Sequence, residues 1–210
     1  MRIARVLPPK DVQGKSSHSS LTYLPQFMLE LGARKLNIEA ARERNLHQEI
    51  LVNQETIDAA VKQLAETPMR LRDLFERMDP AKVRIKPDPT LFSPLEDVWH
   101  LHDIEREGYL IRIRRILTEE LPVLENLDGD RMAIERRYIE LELPAAIDGF
   151  AAARAASLAL LRELPLQDWM RRAEFENRII DLRTLISMMV EHDRGHLLSI
   201  QGVLVSSVAA

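Results

Sequence analysis

Cysteine is absent from the 210-residue chain. No disulfide framework, thiolate metal site or cysteine nucleophile is therefore available, and any metal must be held by His, Asp or Glu. Glycine (7 residues) and aromatic residues (5%) are scarce, which argues against an all-β fold, because strands lean on β-branched and aromatic side chains. An excess of positive charge is missing too. The 29 basic and 33 acidic residues leave a formal net charge of -4, so no global field draws in a phosphate backbone, and nucleic acid is not an expected partner. No run approaches the ~18 consecutive apolar residues of a membrane span. The opening MRIARVLPPKD breaks at Pro8 and Pro9 before a signal-peptide core can form. The expectation is a cytoplasmic protein without a membrane partner.

What is abundant is Leu, Ala, Arg and Glu, residues that lose little rotamer freedom in a helix. Residues 1–50 read as an N-terminal extension, partly helical or disordered: PPKD and GKSSHSS give a polar, breaker-rich arm, followed by a weakly periodic stretch from Leu24 to about Gln54. Residues 51–205 read as a helical domain.

Four long helices are predicted there, at about 55–78, 94–121, 144–164 and 177–201. In the first, Ile57, Val61, Leu64, Leu71, Leu74 and Met78 approximate one helical face, and Thr67-Pro68 predicts a kink or restart with Thr67 as its cap. The second starts at Ser93-Pro94-Leu95-Glu96, a capping-box sequence with proline at the first helical position, and stops at Pro122. The third is alanine-rich and permits close approach of a neighbour. For the last, Asp168 is a candidate cap of its region and Gly202 its expected end. Such a set buries its apolar stripes most simply as an all-α four-helix bundle.

Six histidines are present: His18, His47, His100, His102, His192 and His196. The i, i+4 spacing of His192 and His196 stacks two imidazoles on one helix face. That face also carries Leu182, Leu185, Met189 and Ile200, and two rings on a buried stripe are costly unless hydrogen-bonded or ligated. A third ligand completes a zinc-type site with one open position. His100 and His102 are both candidates, about 160° apart on a 3.6-residue helix. Periodicity by itself favours His102. The two apolar faces of this helix predict a second covering surface, from the N-terminal segment or another subunit, and hence a homodimer.

Residues 97–105, Asp97-Val98-Trp99-His100-Leu101-His102-Asp103-Ile104-Glu105, resemble the "HLxDxE" helix of the DinB/YfiT-like superfamily. His192-Asp193-Arg194-Gly195-His196-Leu197 with Ile200-Gln201 resembles that family's "HDxxHLxQI" final helix. The likeness covers roughly Gln54 to Gln201. It implies a four-helix bundle with a long crossover between the second and third helices, and a divalent metal held by His100, His192 and His196. It also implies a metal-dependent enzyme, a transferase or hydrolase, with a low-molecular-weight thiol as co-substrate in some members. A Trp-Ser pair common at the start of the family's second helix is Phe92-Ser93 here.

Three neutral imidazoles leave a metal its full positive charge, which lowers the pKa of a bound water or thiol. Zinc and nickel come first for such a donor set and iron after them, with copper also compatible. Asp103 and Asp193 are candidates to orient ligands from behind. Two rival readings fit less well: a zincin needs a third ligand, and no His, Asp or Glu follows His196; a di-iron site needs inward Glu pairs that the other helices lack. The alternative to an enzyme is a metal-binding or stress-related bundle without turnover, and an open position beside a substrate-sized cleft discriminates the two.

Overall fold

The computed structural model describes residues 54–206. The N-terminal extension (1–50), the weakly periodic stretch within it, and His18 and His47 lie outside the described residues. Four long helices run up-down-down-up: α1 (54–76), α2 (Pro94–Asp103) running through a π-helical turn (Ile104–Tyr109) into α3 (Leu110–Thr118), then α5 (Leu143–Leu161) and α6 (Leu182–Ser206). Between α3 and α5 the chain makes the long crossover, which holds strand β1 (Val123–Leu124), the short helix α4 (Gly129–Glu135) and a 3-10 turn at Tyr138–Glu140. A four-helix bundle is therefore the fold.

Local chemistry explains most boundaries. Ser93 Oγ accepts from the Glu96 amide at 3.3 Å while Glu96 Oε2 accepts from the Ser93 amide at 2.8 Å, the reciprocal box that the sequence predicts. The last helix departs from expectation. It starts at Leu182 rather than near 177, because Asp181 Oδ1 accepts from the amide and the hydroxyl of Thr184, both at 2.8 Å. Asp168 instead lies in a 3-10 turn, Leu166–Met170, and α6 continues through Gly202 to Ser206. Residues 178–181 are a strand. β2 (Arg172–Phe175) and β3 (Arg178–Asp181) pair antiparallel, and β1 adds to β2 in parallel, forming a small sheet that the sequence reading missed. Glu176 and Asn177 make the turn with φ of 51° and 59°, the left-handed pair that a two-residue hairpin requires.

The Thr67-Pro68 interruption does not break α1, which is helical across it. Pro68 has no amide to give to the Leu64 carbonyl. That oxygen accepts from Arg154 Nη1 at 3.0 Å instead. Thr67 is not a cap: its hydroxyl donates to Asp193 Oδ2 at 2.7 Å. Arg154, only 1% exposed, also pairs bidentately with Asp193 at 2.6 and 3.0 Å and reaches Glu105 Oε2 at 2.9 Å, while Ser157 Oγ donates to the other oxygen of Glu105. One guanidinium thus joins α1, the π turn, α5 and α6.

The two apolar faces of the second helix are both covered within the chain. One packs on α5 and α6, and the other on α4 and the Tyr138 turn, where the Trp99 and Tyr138 rings stack 6.3 Å apart. That pattern by itself then requires no second copy. Helix α5 is long and apolar enough to cross a membrane by length and composition. Here its Ala146, Phe150 and Arg154 are buried in the bundle.

Replacing Arg154 by Ala strands Glu105 and Asp193 in the interior, and removing one partner of a buried ion pair costs about 3–5 kcal/mol. Urea denaturation of Arg154→Ala should show a loss of that size. A loss below about 1 kcal/mol, the size of an exposed pair, would mean that the network does not hold the helices together.

Candidate metal centre

His100 projects from the last turn of α2, and His192 and His196 project from successive turns of α6. The three sets of ring nitrogens converge: one donor atom from each lies within 4.8 Å of the others, and Nε2 of His100 is 3.0 Å from Nε2 of His192. His102, which periodicity favours, points elsewhere. Its ring lies edge-on to Trp99 with centroids 5.1 Å apart, and Nδ1 is 2.9 Å from Asp103 Oδ1 at an angle that leaves the nitrogen without a hydrogen bond. The π turn that follows Asp103 puts Glu105 into the Arg154 network and lays Tyr109 against His192, ring centroids 5.7 Å apart.

Hydrogen bonding fixes one of the three rings. His196 Nδ1 is 2.7 Å from Asp97 Oδ1, and the other Asp97 oxygen accepts from Ser199 Oγ at 2.8 Å. With Asp97 accepting from Nδ1–H, Nε2 of His196 is left as the free donor atom facing the cluster. Phe92 packs over two rings, 5.3 Å from His100 and 6.5 Å from His196. Burial holds His100 well below the ordinary imidazole value, at about 3, with His196 adding to the shift; burial, with His196 and His100 beside it, holds His192 at about 2. Both rings are neutral at pH 7, the state in which imidazole ligates.

The two carboxylates predicted to stand behind the ligands have other partners. Asp193 is bound by Arg154 and Thr67. Asp103 accepts from Tyr138 Oη at 2.6 Å and Arg136 Nη1 at 2.5 Å. Burial raises its pKa, but His102 beside it and the bonds from Tyr138 and Arg136 outweigh that and bring it to about 2. The carboxylate that does orient a clustered imidazole is Asp97. Its signal was present in the spacing: Asp97 precedes His100 by three residues and so shares its helix face.

The donor set fits a metal. Nitrogens bound tetrahedrally at ~2.0 Å stand about 3.3 Å apart, and the separations here, from 3.0 Å to within 4.8 Å, bracket that value. A cleft of about 410 Å³ opens beside the rings, walled by Phe92, Asp97, Asp130, His192, Gly195 and His196. Among the described residues, this is the one group of three or more His, Asp or Glu side chains arranged to hold an ion.

A family model for the DinB superfamily matches residues 63–200. No curated protein matches the chain. Among solved structures, the chain is similar to YfiT from Bacillus subtilis, described as a probable metal-dependent hydrolase with an unusual four-helix bundle topology. The similarity has 23% identity and a TM-score of 0.65, over 70% of this chain and 85% of that one.

The depressed histidine values make the metal-free protein acid-sensitive. Unfolded, His100 and His192 take up protons near pH 6.5, whereas folded they stay neutral until about pH 3 and 2. The unfolded state therefore binds more protons in this window, and the stability present above pH 6.5 is lost as pH falls, by on the order of 1 kcal/mol per pH unit for each ring. Thermal melts in chelator should fall steadily between pH 7 and pH 4. A flat profile would contradict the buried, neutral assignment.

Proposed function

The chain belongs to the DinB superfamily, and we propose that it is a metal-dependent hydrolase whose divalent ion is held by His100, His192 and His196. The observation that carries this reading is the convergence of three imidazoles at the wall of an open cleft. A closed site would favour storage or a structural role, whereas a cleft beside the donors leaves room for a substrate and for the fourth position of a catalytic centre. The similarity to YfiT, described as a probable metal-dependent hydrolase, supports the same class.

When bound, a divalent ion supplies Lewis acidity, polarising a carbonyl or phosphoryl oxygen and acidifying water. The chain's own residues do the rest. Asp97 accepts a hydrogen bond from His196 Nδ1–H, which keeps the proton there and leaves Nε2 of that ring free for ligation. Ser199 holds the second Asp97 oxygen, fixing the carboxylate plane. Phe92 covers the His100 and His196 rings and restricts water on that side. Zinc and nickel suit three imidazoles best, and iron is the next candidate. A low-molecular-weight thiol in place of water as nucleophile would make the same centre an S-transferase, the second reaction within this reading.

The test is metal content followed by activity. The protein purified with zinc or nickel should carry one ion per chain, and a chelator should lower its melting temperature, because a ligand bound only by the native state adds RT ln(1 + [L]/Kd). His100→Ala should abolish stoichiometric binding, His102→Ala should retain it, and Asp97→Ala should weaken it about 10- to 100-fold. Ester, amide and phosphoester panels, each with and without added thiol, separate hydrolase from transferase. Retention of metal by His100→Ala with loss in His102→Ala would overturn the ligand set.

A further inference from the structure

We propose that Gly129 is a positioning residue for His100, an inference that rests on the metal-centre reading above. The two ligand-bearing rings His196 and His100 are oriented by different means. A hydrogen bond donated to Asp97 sets His196. His100 has no such carboxylate: its Nε2 meets Nε2 of His192 at 3.0 Å, within the cluster itself, and its Nδ1 is buried without a partner. On the Nδ1 side packing alone fixes that ring, and the closest packing comes from the first residue of α4.

A Cβ built on Gly129 falls 2.2 Å from His100 Cε1 and 2.6 Å from Nδ1. Non-bonded carbon atoms settle at about 3.5–4.0 Å, so no side chain fits with the ring where it stands. Gly129 does not adopt a left-handed φ. What glycine supplies here is space, which lets the backbone of α4 lie directly on the Nδ1–Cε1 edge of the imidazole while Nε2 faces His192. The helix that presses on the ring is itself anchored: Asp128 caps it by accepting from the Arg131 amide at 3.0 Å, and Met132 and Ala133 are buried in the core. When a methyl group is added, the imidazole, with its two rotatable bonds, is the part that moves. The following residue, Asp130, lines the same cleft as His192 and His196, so the first turn of α4 is a wall of the centre.

The fold contains its own control. A Cβ on Gly149, in α5, falls 2.6 Å from His102 Nε2. That is a clash of the same kind, on the same helix, against an imidazole outside the cluster. Gly129→Ala and Gly149→Ala should therefore cost comparable stability and differ in metal binding.

The experiment measures zinc affinity of the full chain by competition with a chromophoric chelator, and melting temperature in excess chelator. Gly129→Ala should lose about tenfold or more in zinc affinity, the scale at which ligand-orienting groups act, whereas Gly149→Ala keeps the wild-type value. In the metal-free protein, the melting-temperature loss caused by Gly129→Ala should vanish in a His100→Ala background, because the ring it strikes is gone. If Gly129→Ala does not fold, recovery of folding in the His100→Ala/Gly129→Ala double variant supports the proposal, and failure of the double variant overturns it. Wild-type zinc affinity in Gly129→Ala, or an equal melting loss in both backgrounds, also overturns it. If the wild-type chain binds none of zinc, nickel and iron, the metal-centre reading falls, and the melting cycle alone still decides whether Gly129 sets His100.

Discussion

The bundle depends on one buried guanidinium. Arg154 leaves α5 and meets a carbonyl of α1, a carboxylate of the π turn and a carboxylate of α6, with its Cζ 4.7 Å above the Phe150 ring. An isolated charge in such surroundings is very costly. Two carboxylates and a backbone oxygen offset that cost, and burial raises the Glu105 pKa against the opposing pull of Arg154. Lysine could not replace it, because a single ammonium lacks the planar fork that serves Asp193 bidentately. Pro68 is part of the same device. By withholding an amide it leaves the Leu64 carbonyl for Arg154, and what reads in the sequence as a helix breaker is in the fold a hydrogen-bond acceptor for another helix.

This network and the histidine cluster share two elements, so neither can shift alone. His192 and Asp193 are consecutive on α6, one turned to the cluster and the other to Arg154. On the neighbouring element, the π turn places Glu105 on Arg154 and, four residues later, Tyr109 on His192. The positive charges of Arg154 and Arg112 join burial and the other imidazoles in keeping His192 neutral. The network therefore fixes the separation of α2 and α6 at the height where their imidazoles must meet. Insertions of the π type recur at functional sites for this reason: one extra residue in a turn re-aims the side chains that follow it.

The crossover has a comparable double role. It covers the second apolar face of α2, through Trp99 and Tyr138, and it brings the backbone of α4 onto the outer edge of the His100 ring. The face that looks unpartnered from periodicity is thus the face on which the site is completed. Asp103 secures this layer by binding Arg136 and Tyr138 from the crossover, which ties a residue of the histidine-bearing segment to the elements that roof it.

The sequence by itself determined the elements whose signals are local. The Ser93-Pro94-Leu95-Glu96 box, the apolar stripes of the four helices and the i, i+4 spacing of His192 and His196 each depend on residues within one or two turns, and each is seen in the structure. Resemblance to a family pointed to His100 where periodicity pointed to His102, because a stripe count fails on a helix that is covered on both sides. Only the tertiary structure decided the remainder. The sheet rests on strands of two to four residues joined by Glu176-Asn177, with none of the glycine that marks such a turn. Thr67, Asp97 and Arg154 find partners 126, 99 and 39 residues away, and no local pattern encodes a contact that exists only once four helices have met. Gly129 is the clearest case: no neighbour in the sequence marks it, and its meaning lies in the ring that packs against it.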